Sequence, residues 1–224
     1  MMHRTRTKIC GLTRASDIDG AVAAGVDAIG LVFYAPSPRY VSPDHAAILI
    51  ERVPAFVTTT GLFVNASLSE VEEVIHRAPV SLLQFHGDES PEQCAAIAAA
   101  VNRPFIRAMR IGPAATAEDL LKYEAVYRST GALFAGLLLD TLVDNFGGSG
   151  KVFDWSLIPK ELAPRVVLSG GLSVHNVTDA VTRVRPFAVD VSSGVESAKG
   201  IKDAAAMSEF IDAVRAADMA TPHN

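Results

Sequence analysis

Short apolar, β-branched runs alternate along this chain with longer stretches whose apolar positions recur at helical spacing. The runs are "TKIC" (7–10), "AIGLVF" (28–33), "FVTTTGLFV" (56–64), "SLLQF" (81–85), "PFIRAM" (104–109), "LFAGLLLD" (133–140), "RVVLSG" (165–170) and "FAVDVSS" (187–193). Each has the length and composition of a buried strand. The stretches between them predict helices over 16–24, 43–52, 67–77, 91–101, 117–128, 154–160, 173–184 and 203–217. Several open on helix-start signals: Ser42-Pro43, Ser67 with Glu70, Ser90-Pro91, and Ser173.

Strands that alternate with helices imply parallel pairing, because each crossover needs a helix. Eight such units in 224 residues predict an α/β protein with a single (β/α)8 TIM barrel over residues 1–224, residues 216–224 forming a frayed tail. The competing architecture is an open doubly wound sheet, with its site at a switch point between two strands. A barrel instead gathers all eight strand ends on one face.

Composition narrows the class. At 49% hydrophobic, the chain can bury a substantial core. A net charge of −5 argues against a nucleic-acid partner. No apolar run reaches bilayer length, and no hydrophobic segment follows the basic first residues, so a soluble cytoplasmic protein without a membrane partner is expected. The two cysteines, Cys10 and Cys94, suit neither a disulfide framework nor a zinc site. Cys94, in an alanine-rich helical pattern, is expected to be a small buried helix residue.

In a barrel the chemistry sits at the C-terminal strand ends. Cys10 ends the first run and Asp140 ends the sixth, after three leucines. A carboxylate there must be solvated, paired or used, and a helix cap or a loop salt bridge is its plain alternative. Lys8 and Cys10 share a strand face, so the ammonium is expected to favour the thiolate, unless it pairs with a barrel carboxylate instead. "LSGGLS", with Gly170 and Gly171, and "DVSSGVE", with Ser192, Ser193 and Gly194, follow the seventh and eighth runs. Those two turns are where barrels recurrently hold phosphate, so they predict a phosphorylated small-molecule substrate.

The sixth loop, "TLVDNFGGSGKVFDW", carries Gly147, Gly148, Gly150 and Lys151 and has the make-up of either a lid or a surface turn. It is no nucleotide-binding P-loop, because Val152 follows the lysine where Ser or Thr is needed. Arg39, on a proline-stiffened loop, can grip a carboxylate or simply face solvent. His86, after the fourth run, can serve as acid, base, donor or structural cap.

Six segments, "KICGLTR", "GLVFYAPSPRYVSP", "LQFHGDE", "LLLDT…GGSGKVFDW", "LSGGL" and "RPFAVDVSSGVE", together resemble the phosphoribosylanthranilate isomerase family of tryptophan biosynthesis, in order and from Lys8 to the last helix. The resemblance implies an Amadori rearrangement of N-(5-phosphoribosyl)anthranilate without metal or other cofactor. It implies that Cys10 is the general base at ribose C2 and Asp140 the general acid at the ring oxygen. Arg39 would hold the anthranilate carboxylate, the two glycine and serine turns would hold the phosphate, and Lys8, His86 and Asp190 are further possible substrate contacts. Family members are mostly expected to be monomers. Phe85 stands where leucine is expected, and Val143, Asp144 and Asn145 give the sixth loop its own composition. The rivals are three. A related sugar isomerase of histidine biosynthesis would be expected to place an aspartate, not Cys10, on the first strand. Indole-glycerol-phosphate synthase would be expected to show core lysines and glutamates, where only Lys8 offers itself. A non-catalytic barrel could bind a phosphorylated metabolite but would have no use for Cys10 or Asp140.

Overall fold

The structure, a computed structural model, describes residues 4–141 and 152–220. Eight parallel strands close into a barrel in chain order. They are β1 (Arg6–Cys10), β2 (Ala28–Val32), β3 (Thr58–Phe63), β4 (Leu82–Phe85), β5 (Phe105–Ile111), β6 (Phe134–Thr141), β7 (Val167–Leu168) and β8 (Ala188–Val191). The barrel is the fold expected, and β1 closes it by pairing with β8 in the register Lys8–Asp190 and Ile9–Val191. Helices α1 (Ala15–Ala24), α2 (Pro43–Ile50), α3 (Leu68–Arg77), α4 (Pro91–Ala100), α5 (Ala117–Arg128), α6 (Val177–Val184) and α7 (Ala204–Ala220) surround it.

Three helix starts form as their sequences dictate. The Ser42 hydroxyl accepts from the His45 amide, and Ser67 and Ser90 each form a reciprocal capping box, with Glu70 and Gln93. Thr116 and Asp119 make a third such box, at α5.

Strand alternation divides the side chains between two cores. Facing the helices, Phe33, Phe63, Phe85, Phe105 and Phe134 form a run of rings with centroids 5.4–6.4 Å apart. Each fully buried ring contributes about 1.5–3 kcal/mol. Phe85 is 0% exposed within this belt, so its replacement of leucine is packing. Inside the barrel, Ile106, Ala108 and Leu138, with Leu82 and Val167, form a small separate apolar cluster. The opposite inner wall carries Lys8, Asp190 and Ser169.

Three expectations need correction, and one element was not foreseen. The helix expected over 154–160 is a 3-10 turn at Trp155–Leu157, followed by another at Ala163–Arg165. Pro159 forces Ile158 into extended backbone (ψ 114°), and Pro159 and Pro164 each lack a donor. The helix expected from 173 begins at Val177. The Asn176 amide side chain accepts from the Ser173 N–H and donates to the Gly171 carbonyl, which holds an irregular turn ahead of the helix. The tail expected to fray from 216 is helical to Ala220, because Asp218 accepts from both the backbone N–H and the hydroxyl of Thr5. A short antiparallel ribbon, β9 (Glu196–Ala198) with β10 (Ile201–Lys202), was not expected at all. Gly147, Gly148, Gly150 and Lys151 lie outside the described residues.

Candidate active site

Inward-pointing residues of β1 and β8 build the floor of the site. The Lys8 ammonium donates to Asp190 Oδ1 at 2.7 Å, and the Ser169 hydroxyl donates to Asp190 Oδ2 at 3.0 Å. Cys10 lies one inward position above Lys8 and is 5% exposed. Its register partner is Gly30, where a Cβ would come within 2.7 Å of Sγ, so the thiol occupies space that only glycine leaves.

Asp140 ends β6 on the opposite rim, in register with Arg110 of β5. His86 Nε2 lies 3.1 Å from Asp140 Oδ2, and the His86 Nδ1 lies 3.1 Å from Gln84 Nε2. Gln84 Oε1 is buried without a partner. The partner that the sequence could not name for His86 is thus the candidate acid itself. Gly170, at φ 82°, lets the seventh turn lie against this carboxylate: a Cβ there would meet Thr141 N at 2.3 Å and Asp140 Oδ1 at 2.6 Å.

The two expected anion-binding turns touch each other. A Cβ on Gly194 would overlap the Leu172 carbonyl oxygen at 2.0 Å. The Ser192 hydroxyl donates to the Cys10 carbonyl at 3.0 Å, tying the eighth turn to the thiol's strand. Cys10, Arg39, His86, Asp140, Gly170, Gly171, Asp190, Ser192 and Ser193 all line one cavity of about 530 Å³. Lys8 lies below that lining, and Gly194 packs behind it.

Arg39 is no solvated loop arginine. Its Nε donates to Glu196 Oε1 at 2.7 Å and its Nη2 to Glu196 Oε2 at 2.9 Å. Glu196 also accepts from the Lys202 ammonium at 2.8 Å. Gln84, Ser169, Arg110, Glu196 and Lys202 were all missed as site residues. Alternation along β4 and β5 carries a signal for Gln84 and Arg110, whereas Glu196 and Lys202 arrive through the unexpected ribbon.

Burial sets the electrostatics. It opposes the Lys8 charge, yet Asp190 and Cys10 outweigh it and hold the ammonium above the ordinary lysine range. For Cys10, burial pushes the thiol up, and the pull of Lys8 and Lys202 in the other direction does not overcome it. The Lys8 ammonium does favour the thiolate, as its strand position led one to expect, but burial outweighs it, so the ammonium limits the rise rather than reversing it. Cys94 is pushed up to about 12, chiefly by burial, as an inert helix thiol.

A family model described as N-(5′-phosphoribosyl)anthranilate isomerase matches residues 7–213. The protein of that name from Herminiimonas arsenicoxydans is 67% identical over 98% of this chain and 97% of its own length. Among solved structures, a phosphoribosyl anthranilate isomerase in complex with reduced 1-(o-carboxyphenylamino)-1-deoxyribulose 5-phosphate superposes with a TM-score of 0.80. It is 37% identical, over 95% of this chain and 99% of the other. A Thermotoga maritima isomerase described as monomers generated from a dimeric protein gives 0.78 at 36% identity, over 94% and 98% of the two chains.

The raised Cys10 pKa has a measurable consequence. Only the thiolate reacts with iodoacetamide, so alkylation of Cys10, followed by mass spectrometry, should keep accelerating with pH beyond the ordinary thiol range. Cys94 should stay unmodified in the folded protein. A Cys10 midpoint below the ordinary thiol value would contradict the balance of burial over charge.

Proposed function

The chain belongs to the N-(5′-phosphoribosyl)anthranilate isomerase family, and on that premise we propose how its residues divide the reaction. It is an isomerase that converts N-(5-phosphoribosyl)anthranilate to 1-(2-carboxyphenylamino)-1-deoxyribulose 5-phosphate by an Amadori rearrangement. The observation that carries the division is the placement of Cys10 and Asp140 at the ends of β1 and β6, on the lining of one cavity that also holds Arg39 and both glycine turns.

Asp140 donates a proton to the furanose ring oxygen. The bond from that oxygen to C1 breaks, and the nitrogen lone pair closes a C1=N iminium. The iminium acidifies C2–H, and the Cys10 thiolate takes that proton to leave an enolamine. Collapse of the enol to the C2 ketone, with a proton returned to C1, completes an isomerisation that needs no external oxidant or reductant.

His86 is a positioning residue for this acid. A protonated Asp140 needs an acceptor, and His86 Nε2 lies at 3.1 Å. Half a turn of the Gln84 amide would set its now unpartnered Oε1 against an Nδ1–H and make Nε2 that acceptor. Lys8 and Asp190 support the base from below as an ion pair, and Asp190 also reaches the cavity lining.

Arg39 holds the anthranilate carboxylate. Glu196 takes one N–H from Nε and one from Nη2, which leaves both N–H groups of Nη1 and one of Nη2 as a fork for a bidentate partner. The amides of the Gly170–Gly171 turn, with Ser192 and Ser193, cradle the phosphate.

No helix among the described residues is long and apolar enough to cross a membrane. We place the chain in the cytoplasm, where its two free cysteines are at home, and as a monomer, the state expected of most members of its family. Light scattering should give the 23.7 kDa of one chain. A doubled mass, the state described for the Thermotoga maritima relative, would overturn that.

The acid and base assignment is tested by following the fluorescence loss of freshly made substrate with the purified chain alone. Cys10→Ala and Asp140→Asn should each lower kcat by about 10²–10⁴-fold while the Kd of the reduced product changes only a few-fold. Parallel loss of binding and turnover would assign both residues to structure instead.

A further inference from the structure

The ribbon that follows β8 is fastened to the first and second loops and back onto the turn that ends β8. The Thr13 hydroxyl donates to the Gly200 carbonyl at 2.8 Å, and Arg14 Nη2 donates to the Lys202 carbonyl at 3.0 Å. Gly200 lies so close to the Arg39 loop that a Cβ there would come within 2.7 Å of the Pro38 carbonyl oxygen. The Lys202 side chain is 0% exposed and donates to the Ser192 carbonyl at 3.0 Å, to the Ser192 hydroxyl at 3.2 Å and to Glu196 at 2.8 Å. One carboxylate, 6% exposed, therefore joins the guanidinium of the second loop to an ammonium clamped on the eighth turn.

We propose that Glu196 is a positioning residue for substrate: through Arg39 on one side and Lys202 on the other, it fixes the separation between the carboxylate grip and the phosphate cradle. This rests on the reading given above for Arg39 and the Ser192 turn. The substrate is anionic at both ends, and a ligand that must satisfy two fixed anion sites at once gains affinity only if their spacing is held beforehand. Arg39 alone cannot supply this, because a long side chain on a loop samples many positions unless something holds it. Glu196 engages the Nε edge, away from the Nη1 fork, and so fixes the direction in which the fork points. Desolvation and two cations compete for the Glu196 charge, and the cations prevail, holding its carboxyl below the ordinary glutamate range. The bridge is therefore ionised at neutral pH.

The test uses Glu196→Gln, Glu196→Asp and Arg39→Ala in the full chain, singly and combined. The readouts are kcat, KM, the Kd of the reduced product and the Ki of inorganic phosphate, which engages one end only. Glu196→Gln should raise KM and the two-ended Kd at least about tenfold, with kcat within about threefold and the phosphate Ki within about twofold. Glu196→Asp, which keeps the charge, should lie between Gln and wild type. On the Arg39→Ala background, Glu196→Gln should add less than about twofold, because its effect runs through the arginine. An undiminished loss on that background, a phosphate Ki that rises in step with the two-ended Kd, or unchanged binding in Glu196→Gln would each overturn the proposal. Should Glu196→Gln not fold, the same cycle with Glu196→Asp must show the same pattern at smaller size, and failure to do so overturns it. Arg39→Ala that leaves the two-ended Kd unchanged would overturn the carboxylate reading, and the proposal with it. Arg39→Ala that weakens binding while Glu196→Gln does not would overturn the proposal alone.

Discussion

Lys8 and Asp190 meet at the seam where the first strand of the barrel pairs with the last, with both charged groups almost wholly out of water. Burying two charges costs more than their attraction alone returns, unless further hydrogen bonds complete the pair. The Ser169 hydroxyl supplies one of these at the second carboxylate oxygen. Loss of either partner would strand the other at a cost of about 3–5 kcal/mol, so the pair favours the closed register over a slipped one. That register puts Ser192 beside Cys10 although 182 positions separate them. The thiol, the floor beneath it and the eighth turn thus share a single alignment.

The inner wall of the barrel is unevenly divided, and function follows the division. The sector formed by β4 to β7 is filled low down by Leu82, Ile106, Ala108, Leu138 and Val167. Above that plug, Gln84, His86 and Asp140 form a chain of contacts, with Gln84 Nε2 3.1 Å from His86 Nδ1 and His86 Nε2 3.1 Å from Asp140 Oδ2. The sector formed by β8 and β1 carries charge down to the floor. Cys10 therefore sits among opposing influences: burial raises its pKa while Lys8 and Lys202 lower it. A thiol placed in this way stays protonated more readily than an exposed one.

Much of this was legible in the chain because barrels are built from local signals. The eight apolar runs located the strands, alternation put Lys8 beneath Cys10, and the ordinal positions of the glycine turns marked one end of the cavity. What escaped was non-local or depended on a few particular residues. Pro159 and Pro164 reduce an apparent helix to two short turns. Asp218 is fastened by Thr5 from the other end of the chain, so the last helix holds where composition suggested fraying. Arg39 and Glu196 are 157 residues apart, and His86 and Asp140 are 54 apart. No periodicity within either segment shows such a pairing. The sign of the Cys10 shift also needed three dimensions, because spacing shows the neighbouring ammonium but not how thoroughly the thiol is buried.

The most direct test of how substrate lies in this cavity is a crystal structure of the chain with the reduced product bound. The expected result places the phosphate on the Gly170–Gly171 and Ser192–Ser193 turns, the benzoate carboxylate on the Nη1 side of Arg39, C2 beside Cys10 Sγ and the C4 oxygen beside the Asp140 carboxyl. A ligand bound end for end, with its phosphate on Arg39, or one that brings C2 to Asp140 and leaves Cys10 without contact, would contradict the assignment of base and acid.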